Sequence, residues 1–530
     1  MNLRSSTTVL ILLCFLGFLF GSFLFRKRLD QNGTYVSSDG AIKLYEAYGY
    51  AKNENFFECV FPAKKFGFGF SHFPFRYPWA IFPESKTPAE CYFQYPPFFS
   101  LLGSAMLFFG DISLAQYLPL VFYGLAFLIF YSILVFLNPA KKNSYFLIFL
   151  SAVFLFTFPI ITIFDFSENS LFHLFSLISL FYILKALSVS KENQFSQELI
   201  TRKFYFYSGI FFGISVILRT ESIILFGIFF LFYCFLFQDA FQNFPKKVFY
   251  LSLGVFLFVI PFLIFNWWNF HSVLGARFES QFDHGKTALS LLQRLEFWKA
   301  YLWKDKVMVG IFQHSPFIIP FFFFILSLRK NHLPSLVYST GLIYILFTPF
   351  LFSVYGGVGY LGLRYLEPGY FFFLLGSICF LVEKFPDWTR LQKIVFSILV
   401  LALLNVSVRN TWKGLKEILN ASLIQKEFNR FLQESDRIYV HTSIYDSIMI
   451  GMSFIENFHI YSDSPKDLEV FRGKKIIVSF PPKNPFISVD IPKAQHSFYF
   501  PKYSIDQIQC KIIKQKEIAG VNLYLVEMAK

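Results

Sequence analysis

Charge is what this 530-residue chain has least of: 15% of its residues are charged, against 55% hydrophobic. That balance, with several apolar runs long enough to cross a bilayer, excludes a soluble globular enzyme. Cysteine is scarce as well, six in all. No CxxC or similar metal-ligand spacing occurs, which excludes cysteine-based zinc sites and dithiol redox motifs. The first apolar run, about Thr7 to Phe25, lacks a small-residue cleavage site and ends in Arg26-Lys27-Arg28. It therefore reads as a retained anchor, not a signal peptide. No internal repeat or low-complexity tract stands out, and the carboxy-terminal region from about Arg409 has no phosphate-binding glycine pattern or nucleophile motif.

The net charge of +14 belongs mostly to short loops between apolar spans. Lys and Arg there stay on the cytoplasmic side and face anionic headgroups, so no nucleic-acid partner is needed to explain them. Cys14, Cys234 and Cys379 sit in apolar runs as packing residues, whereas Cys59 and Cys91 share the first polar loop. These two pair if that loop is extracytoplasmic; two free thiols is the other reading.

Eleven segments read as spans, beginning near residues 7, 113, 145, 170, 204, 222, 248, 309, 335, 370 and 392. The apolar piece Pro96 to Phe109 is short and opens with Pro96-Pro97, which suits a re-entrant or interfacial helix. With a cytoplasmic amino terminus, this puts the first polar loop, Phe164 to Asn169, Arg219 to Glu221, Asn269 to Lys306, Tyr355 to Gly369 and the carboxy-terminal region on one face. The basic short loops then face inward, as the positive-inside rule requires. Arg26-Lys27-Arg28 resists this arrangement; a full crossing by Pro96 to Phe109 would accommodate it but strand Asp39 across the membrane from the other candidates. The domains follow: an anchor over 1–25, an extracytoplasmic loop with interfacial and re-entrant helices over 26–112, a multi-span region over 113–408, and an extracytoplasmic α/β domain over 409–530. In the last, Arg437 to Val440, Phe458 to Tyr461, Lys475 to Phe480 and Val521 to Val526 pattern as strands, with Tyr445 to Phe454 as a helix.

After Asp39, the positions Ala41, Leu44, Tyr45, Tyr48 and Ala51 follow helical spacing, and Lys43, Glu46 and Lys52 fall away from that face. This predicts a helix lying in the interface plane. Asp39 at its start is either an N-cap or a catalytic acid. In Phe164-Asp165-Phe166-Ser167-Glu168-Asn169 two acids lie between spans with no neighbouring base; they read as a solvated turn or as substrate contacts. Arg219 and Glu221 read as a pair. Tyr355-Gly356-Gly357 to Pro368 is glycine-rich and carries Arg364, which either snorkels to headgroups or clamps a phosphate through paired hydrogen bonds. Arg277, His284 and Lys286 add cationic character on the same face.

These residues resemble the GT-C superfamily of polytopic glycosyltransferases, in the branch of protein O-mannosyltransferases and lipid A aminoarabinose transferases. The resemblance rests on Asp39 followed by Tyr45 and Ala47, on Tyr95-Pro96-Pro97-Phe98 opening a stretch that ends in Phe109-Gly110, on Gly310-Ile311-Phe312 with Ser315-Pro316, and on Gly356-Gly357 before Arg364-Tyr365 and Pro368. It covers about residues 7 to 408. It implies a GT-C-like α-helical polytopic membrane protein, with a small C-terminal α/β domain, in a bacterial inner membrane. It further implies transfer of a sugar, with inversion, from a polyprenyl-phosphate-linked donor to an extracytoplasmic lipid, glycan or protein acceptor. Asp39 then corresponds to the general base and Arg364 to a ligand of the leaving phosphate, with Asp165, Glu168, Glu46 and Tyr365 as further substrate contacts. An Asp base needs its pKa raised by partial burial. No metal-ligand set is visible beyond isolated carboxylates, so a divalent metal stays open. Two features depart from the family: Gly40, where relatives place a second acid close by, and Glu367, in a stretch usually apolar. A transporter or flippase of a lipid-linked saccharide is the competing reading; it would place ionisable groups or broken helices near the midplane.

Overall fold

The computed structural model describes residues 3–31, 35, 37–52, 58–75, 80–81, 90–93, 95–107, 109–110, 112–139, 145–153, 157–189, 195–237, 244–270, 273–275, 290–304, 308–351, 360–443, 450–482 and 500–530. Among them, seven helices are long and apolar enough to cross a membrane, and three apolar helices are shorter. In chain order the helices are α1 (Leu3–Leu29), α2 (Ser38–Lys52), α3 (Pro97–Leu107), α4 (Leu118–Leu137), α5 (Tyr145–Ala152), α6 (Pro159–Thr162), α7 (Asn169–Val189), α8 (Phe195–Leu218), α9 (Glu221–Leu236), α10 (Phe244–Phe270), α11 (Leu291–Leu302), α12 (Ile311–His314), α13 (Leu333–Phe347), α14 (Glu367–Lys384), α15 (Arg390–Leu432) and α16 (Ser453–Glu456).

The expected spans near 145 and 309 are not single helices. The first is divided into α5 and α6, the latter opening on Pro159. The second is α12 followed by a 3₁₀ helix, Pro316–Ser327, with prolines at its start and inside it. Proline removes a backbone donor and clashes with the preceding turn, so hydrophobicity alone overcounts continuous helices here. The piece expected as re-entrant is α3, 11 residues long. At about 1.5 Å per residue it spans roughly 16 Å, half of a bilayer core.

Close contact in the bundle is made by small residues. A Cβ on Gly209 of α8 would lie 2.1 Å from the Leu251 carbonyl oxygen of α10, and one on Gly254 would lie 2.4 Å from that of Phe206. Only hydrogen at these positions lets the two backbones touch. α14 is buried almost throughout, whereas α1, α10 and the first half of α15 present apolar side chains outward.

α15 is 43 residues long and runs without a break from its apolar half, through residue 409, into the C-terminal domain. There Phe428, Phe431 and Leu432 pack on Tyr439, Ile477, Val521 and Leu523. The domain is a five-stranded sheet. Preceded in the chain by a short hairpin, β1 (Ala80–Ile81) with β2 (Tyr92–Phe93), its strands are β3 (Ile438–His441), β4 (Phe458–Tyr461), β5 (Lys475–Phe480), β6 (Cys510–Ile518) and β7 (Val521–Met528). Their order is β4-β3-β5-β7-β6, parallel among β3, β4 and β5, with β7 antiparallel to β5 and β6. β6 is an addition to the expected strands; it is a lysine-rich edge, and its exposed charge masks the alternation of a strand. Of the expected helix, Ser453 and Phe454 fall in α16, and 444–449 lie outside the described residues.

Of the Arg26-Lys27-Arg28 cluster, Arg26 is drawn into the packing, while Lys27 and Arg28 are exposed. Arg26 is fully buried and forks onto Asp30 with contacts of 2.8 and 2.9 Å. It also donates to the Phe164 carbonyl at 2.7 Å and to that of Tyr35. It is therefore a tie between the end of α1 and the loop before α7, not a headgroup anchor.

Candidate functional site

α2 lies between the helical bundle and the C-terminal domain, and both of its faces are used. Residues 40 to 47 are buried without exception. The expected amphipathic helix forms, but its polar side does not face water. On the apolar side Tyr45, fully buried, packs its ring in tilted contact at 5.3 Å from Phe75 and 4.9 Å from Phe454, and its hydroxyl donates to the Gly451 carbonyl. The other side carries Asp39, Lys43, Glu46 and Tyr50, spaced i, i+4, i+7 and i+11, so that all four project from one stripe. That stripe meets polar groups of the bundle.

Asp39 is not the cap of this helix. Ser37 is: its hydroxyl oxygen accepts from the Gly40 amide at 3.3 Å, and its carbonyl from Ala41 at 2.8 Å. The Asp39 carboxylate instead receives the Arg364 guanidinium at 2.6 Å, across 325 positions of sequence. Arg364 comes from the 3₁₀ turn Tyr360–Tyr365 that leads into α14. The alternative in which Asp39 lies across the membrane from the other candidates is thereby overturned. Burial pushes the Asp39 carboxyl up, but Arg364 and Lys43 outweigh it, with hydrogen bonds from Arg364 and Tyr95, and hold it below the usual carboxylate range. This is the reverse of the raised value expected for a resting base.

Asp165 arrives beside Asp39 from the loop between α6 and α7. Its carboxylate accepts the Ser37 hydroxyl at 2.6 Å and the Ser37 amide at 3.2 Å. It also presses on Gly40, where a Cβ would lie 2.0 Å from Asp165 Oδ1. Gly40 thus makes room for an acid from elsewhere in the chain. Burial and then the neighbouring Asp39 charge push the Asp165 carboxyl up, against opposing bonds from Ser37 and the Lys43 charge.

Glu168, expected to have no neighbouring base, pairs with Lys43, and both are buried. Lys43 also lies 4.6 Å over the Tyr95 ring. Glu46 accepts the Ser100 hydroxyl from α3. Burial pushes Glu46 up to about 8, despite bonds from Ser100 and Tyr50 and the Lys43 charge. Arg219 pairs with Glu221 at 2.9 Å, as expected, and also reaches Asn169. Both Arg219 and Arg364 contact the Tyr365 ring, at 5.1 and 5.5 Å, so that ring carries two guanidiniums. Arg277, His284, Lys286, Gly356 and Gly357 lie outside the described residues.

Three cations, Lys43, Arg219 and Arg364, therefore sit among Asp39, Asp165, Glu168 and Glu221 at one end of the bundle. Sequence reasoning missed Lys43, Ser37 and the role of Tyr95. The i, i+4, i+7 recurrence of charge on α2 was the available signal. Among the described residues no group of three or more His, Cys, Asp or Glu could hold a metal ion. The site carboxylates of Asp39, Asp165 and Glu168 are engaged by Arg364, Ser37 and Lys43. Cys59 and Cys91 form a disulfide that closes the base of the first loop.

The sequence matches no protein-family profile and no curated protein. Among solved structures, it is similar to the oligosaccharyltransferase of Archaeoglobus fulgidus with a tethered acceptor peptide, at 13% identity and a TM-score of 0.48, covering 83% of this chain and 63% of that one. The apo form of that protein gives 11% identity and a TM-score of 0.49, with 83% and 64% covered. The complex of the same archaeal protein, AglB, with an inhibitory peptide and a dolichol-phosphate gives 12% and 0.48, with 84% and 64% covered. The chain thus spans less than two thirds of the length of these proteins.

Proposed function

We propose that this protein is a membrane glycosyltransferase that moves a sugar from a polyprenyl-phosphate-linked donor to an extracytoplasmic acceptor. The observation that carries the reading is the Arg364–Asp39 pair, a cation suited to phosphate hydrogen-bonded to an acid suited to be a base. The donor's phosphate competes with Asp39 for Arg364. Once it is seated, Asp39 shares its main counter-charge, its proton affinity rises, and its oxygen is free for the acceptor hydroxyl. Asp39 takes that proton as the acceptor oxygen attacks the anomeric carbon opposite the phosphate. The carbon–oxygen bond to phosphate breaks, its electron pair leaves with the phosphate onto Arg364, and the anomeric centre inverts. Arg219, through the shared Tyr365 ring, and Lys43 add positive potential to a site from which water is largely excluded. Asp165, Glu168 and Glu46 hold the acceptor side, and no step is routed through a metal.

Two further features support this reading. The Cys59–Cys91 disulfide is of a kind that persists in an oxidising compartment, which supports an outward-facing site end. The buried ionisable groups of the site gather at that end and not at mid-span, which favours a transferase over a transporter. The lipid-linked sugar, the acceptor and the bilayer are the partners, and the cell membrane is the location.

The test is Asp39→Asn in membranes, read by glycan profiling. Asn preserves shape but takes no proton, and product formation falls by about 10²- to 10⁴-fold at normal abundance. Arg364→Lys keeps the charge, loses the planar fork and weakens donor use. Unchanged product in Asp39→Asn removes the base assignment.

A further inference from the structure

Glu367 stands directly after the Arg364-Tyr365-Leu366 turn, in the first turn of α14, and is completely buried. A buried carboxylate among bundle helices is costly, and an apolar residue of similar size would be the more stable choice. Both of its oxygens are engaged. One accepts the Thr162 hydroxyl at 2.9 Å; the other meets His173 Nε2. Thr162 ends α6 and His173 lies just inside α7, so these two partners flank the loop that carries Asp165 and Glu168. The 3₁₀ turn is continuous with the helix that Glu367 begins. The Leu366 amide donates to the Leu363 carbonyl at 2.8 Å, and the Tyr370 amide to that of Leu366 at 2.9 Å. The Tyr365 carbonyl is held in turn by the Tyr344 hydroxyl at 3.1 Å.

We infer that Glu367 is a positioning residue: it clamps the Arg364 turn to both ends of the acidic loop, so the phosphate-binding cation and the Asp165–Glu168 loop keep a fixed separation. The Arg364 side chain reaches Asp39, while Asp165 is fixed to Ser37 at the start of the same helix. A displacement of α14 relative to α6 and α7 would therefore pull Arg364 from the acids it faces. Misplacement of such a group by about 1 Å is enough to cost on the order of 10²-fold in rate. The inference rests on the transferase reading for what Arg364 binds, but not for what Glu367 holds.

The test uses the full chain in detergent, farnesyl phosphate alone as the probe, and hydrogen–deuterium exchange over 360–366 and 163–168. Glu367→Gln removes the charge. Thr162→Val removes one hydrogen bond and keeps the shape, so it carries the test if the first variant fails to fold. The expected result is faster exchange in both segments and farnesyl phosphate affinity weakened about tenfold by Glu367→Gln, with a smaller effect from Thr162→Val. Combined with Arg364→Lys, Glu367→Gln adds no further loss, because it acts through Arg364. Glu383→Gln, which removes the charge from the Glu383–His332 contact of 2.9 Å at the other end of α14, leaves affinity and both exchange rates as they are. Unchanged exchange over 360–366 in the folded variants, or an affinity loss that adds in full to that of Arg364→Lys, overturns the clamp. If the wild type binds no farnesyl phosphate while exchange rises in the variants, the donor reading fails and the clamp stands.

Discussion

The buried Glu46 makes stability depend on pH in a direction that can be worked out. The residue is 5% exposed, and its carboxyl is pushed up to about 8 from an ordinary value near 4.5, chiefly by burial. The folded chain therefore keeps this proton over a range in which the unfolded chain has lost it. The stability from neutral Glu46 is fully present below about pH 4.5 and is lost progressively as pH rises through about 8. Each pH unit in that window is worth about 1.4 kcal/mol, so by pH 7 the loss from this one group is roughly 3 kcal/mol. Glu46→Gln has no proton to lose and is exempt. Thermal unfolding of the full chain in one detergent, at one scan rate and from pH 5 to 9, isolates the effect as the difference in Tm between variant and wild type. Ser100 can still donate to the Gln oxygen, while the new amide donors shift the comparison by an amount that does not vary with pH. The slope is therefore the test: the variant gains on the wild type as pH rises to about 8 and then holds level. A flat or falling difference would refute a neutral, desolvated Glu46.

Two further outcomes follow from the site's geometry. Gly40→Ala puts a methyl group 2.0 Å from Asp165 Oδ1, so the Asp165 carboxylate has to leave Ser37. The expected cost is roughly 1–3 kcal/mol in unfolding free energy with a loss of transfer activity, and full activity would show that Asp165 is not needed where it stands. Cys59→Ser opens a crosslink of sequence separation 32, worth roughly 3–4 kcal/mol in the chain-entropy picture. Thiol labelling before and after reductant in intact cells checks it, and Cys59 and Cys91 found free in the mature protein would undo the outward assignment.

Much of the architecture was legible because it depends on local hydrophobicity. The apolar runs mark the bundle, and β4 and β5 lie where alternation puts them, at Phe458–Tyr461 and Lys475–Phe480. The breaks at Pro159 and Pro316 were visible as residues but not as consequences, since membrane helices tolerate proline when neighbours satisfy the freed carbonyls. The site was legible as a set of residue types and illegible as a set of contacts. Asp39 and Arg364 stood out singly; that they touch is a long-range fact. Lys43 and Glu46 were legible only as lying away from the apolar face of the helix, the side that an amphipathic pattern normally turns to water. Their partners, Glu168 and Ser100, come from elements that no local spacing connects to α2.

The position of α2 gives the C-terminal domain an influence on the polar stripe that needs no direct contact with it. Burial is the largest influence on both Glu46 and Asp165. α2 owes part of its burial to Phe454 and Gly451, and the first loop meets the same domain through Phe66, which packs at 4.8 Å on Phe458 and 5.5 Å on Phe471. If the domain were to lift from this seam, water would reach the apolar side of α2, and the carboxyl groups of the polar stripe would relax toward their solution behaviour. The Asp39–Arg364 attraction would also weaken as the local dielectric rose. The domain thus contributes, through the Tyr45 contacts with Phe454 and Gly451, to the burial on which the Asp39–Arg364 attraction depends.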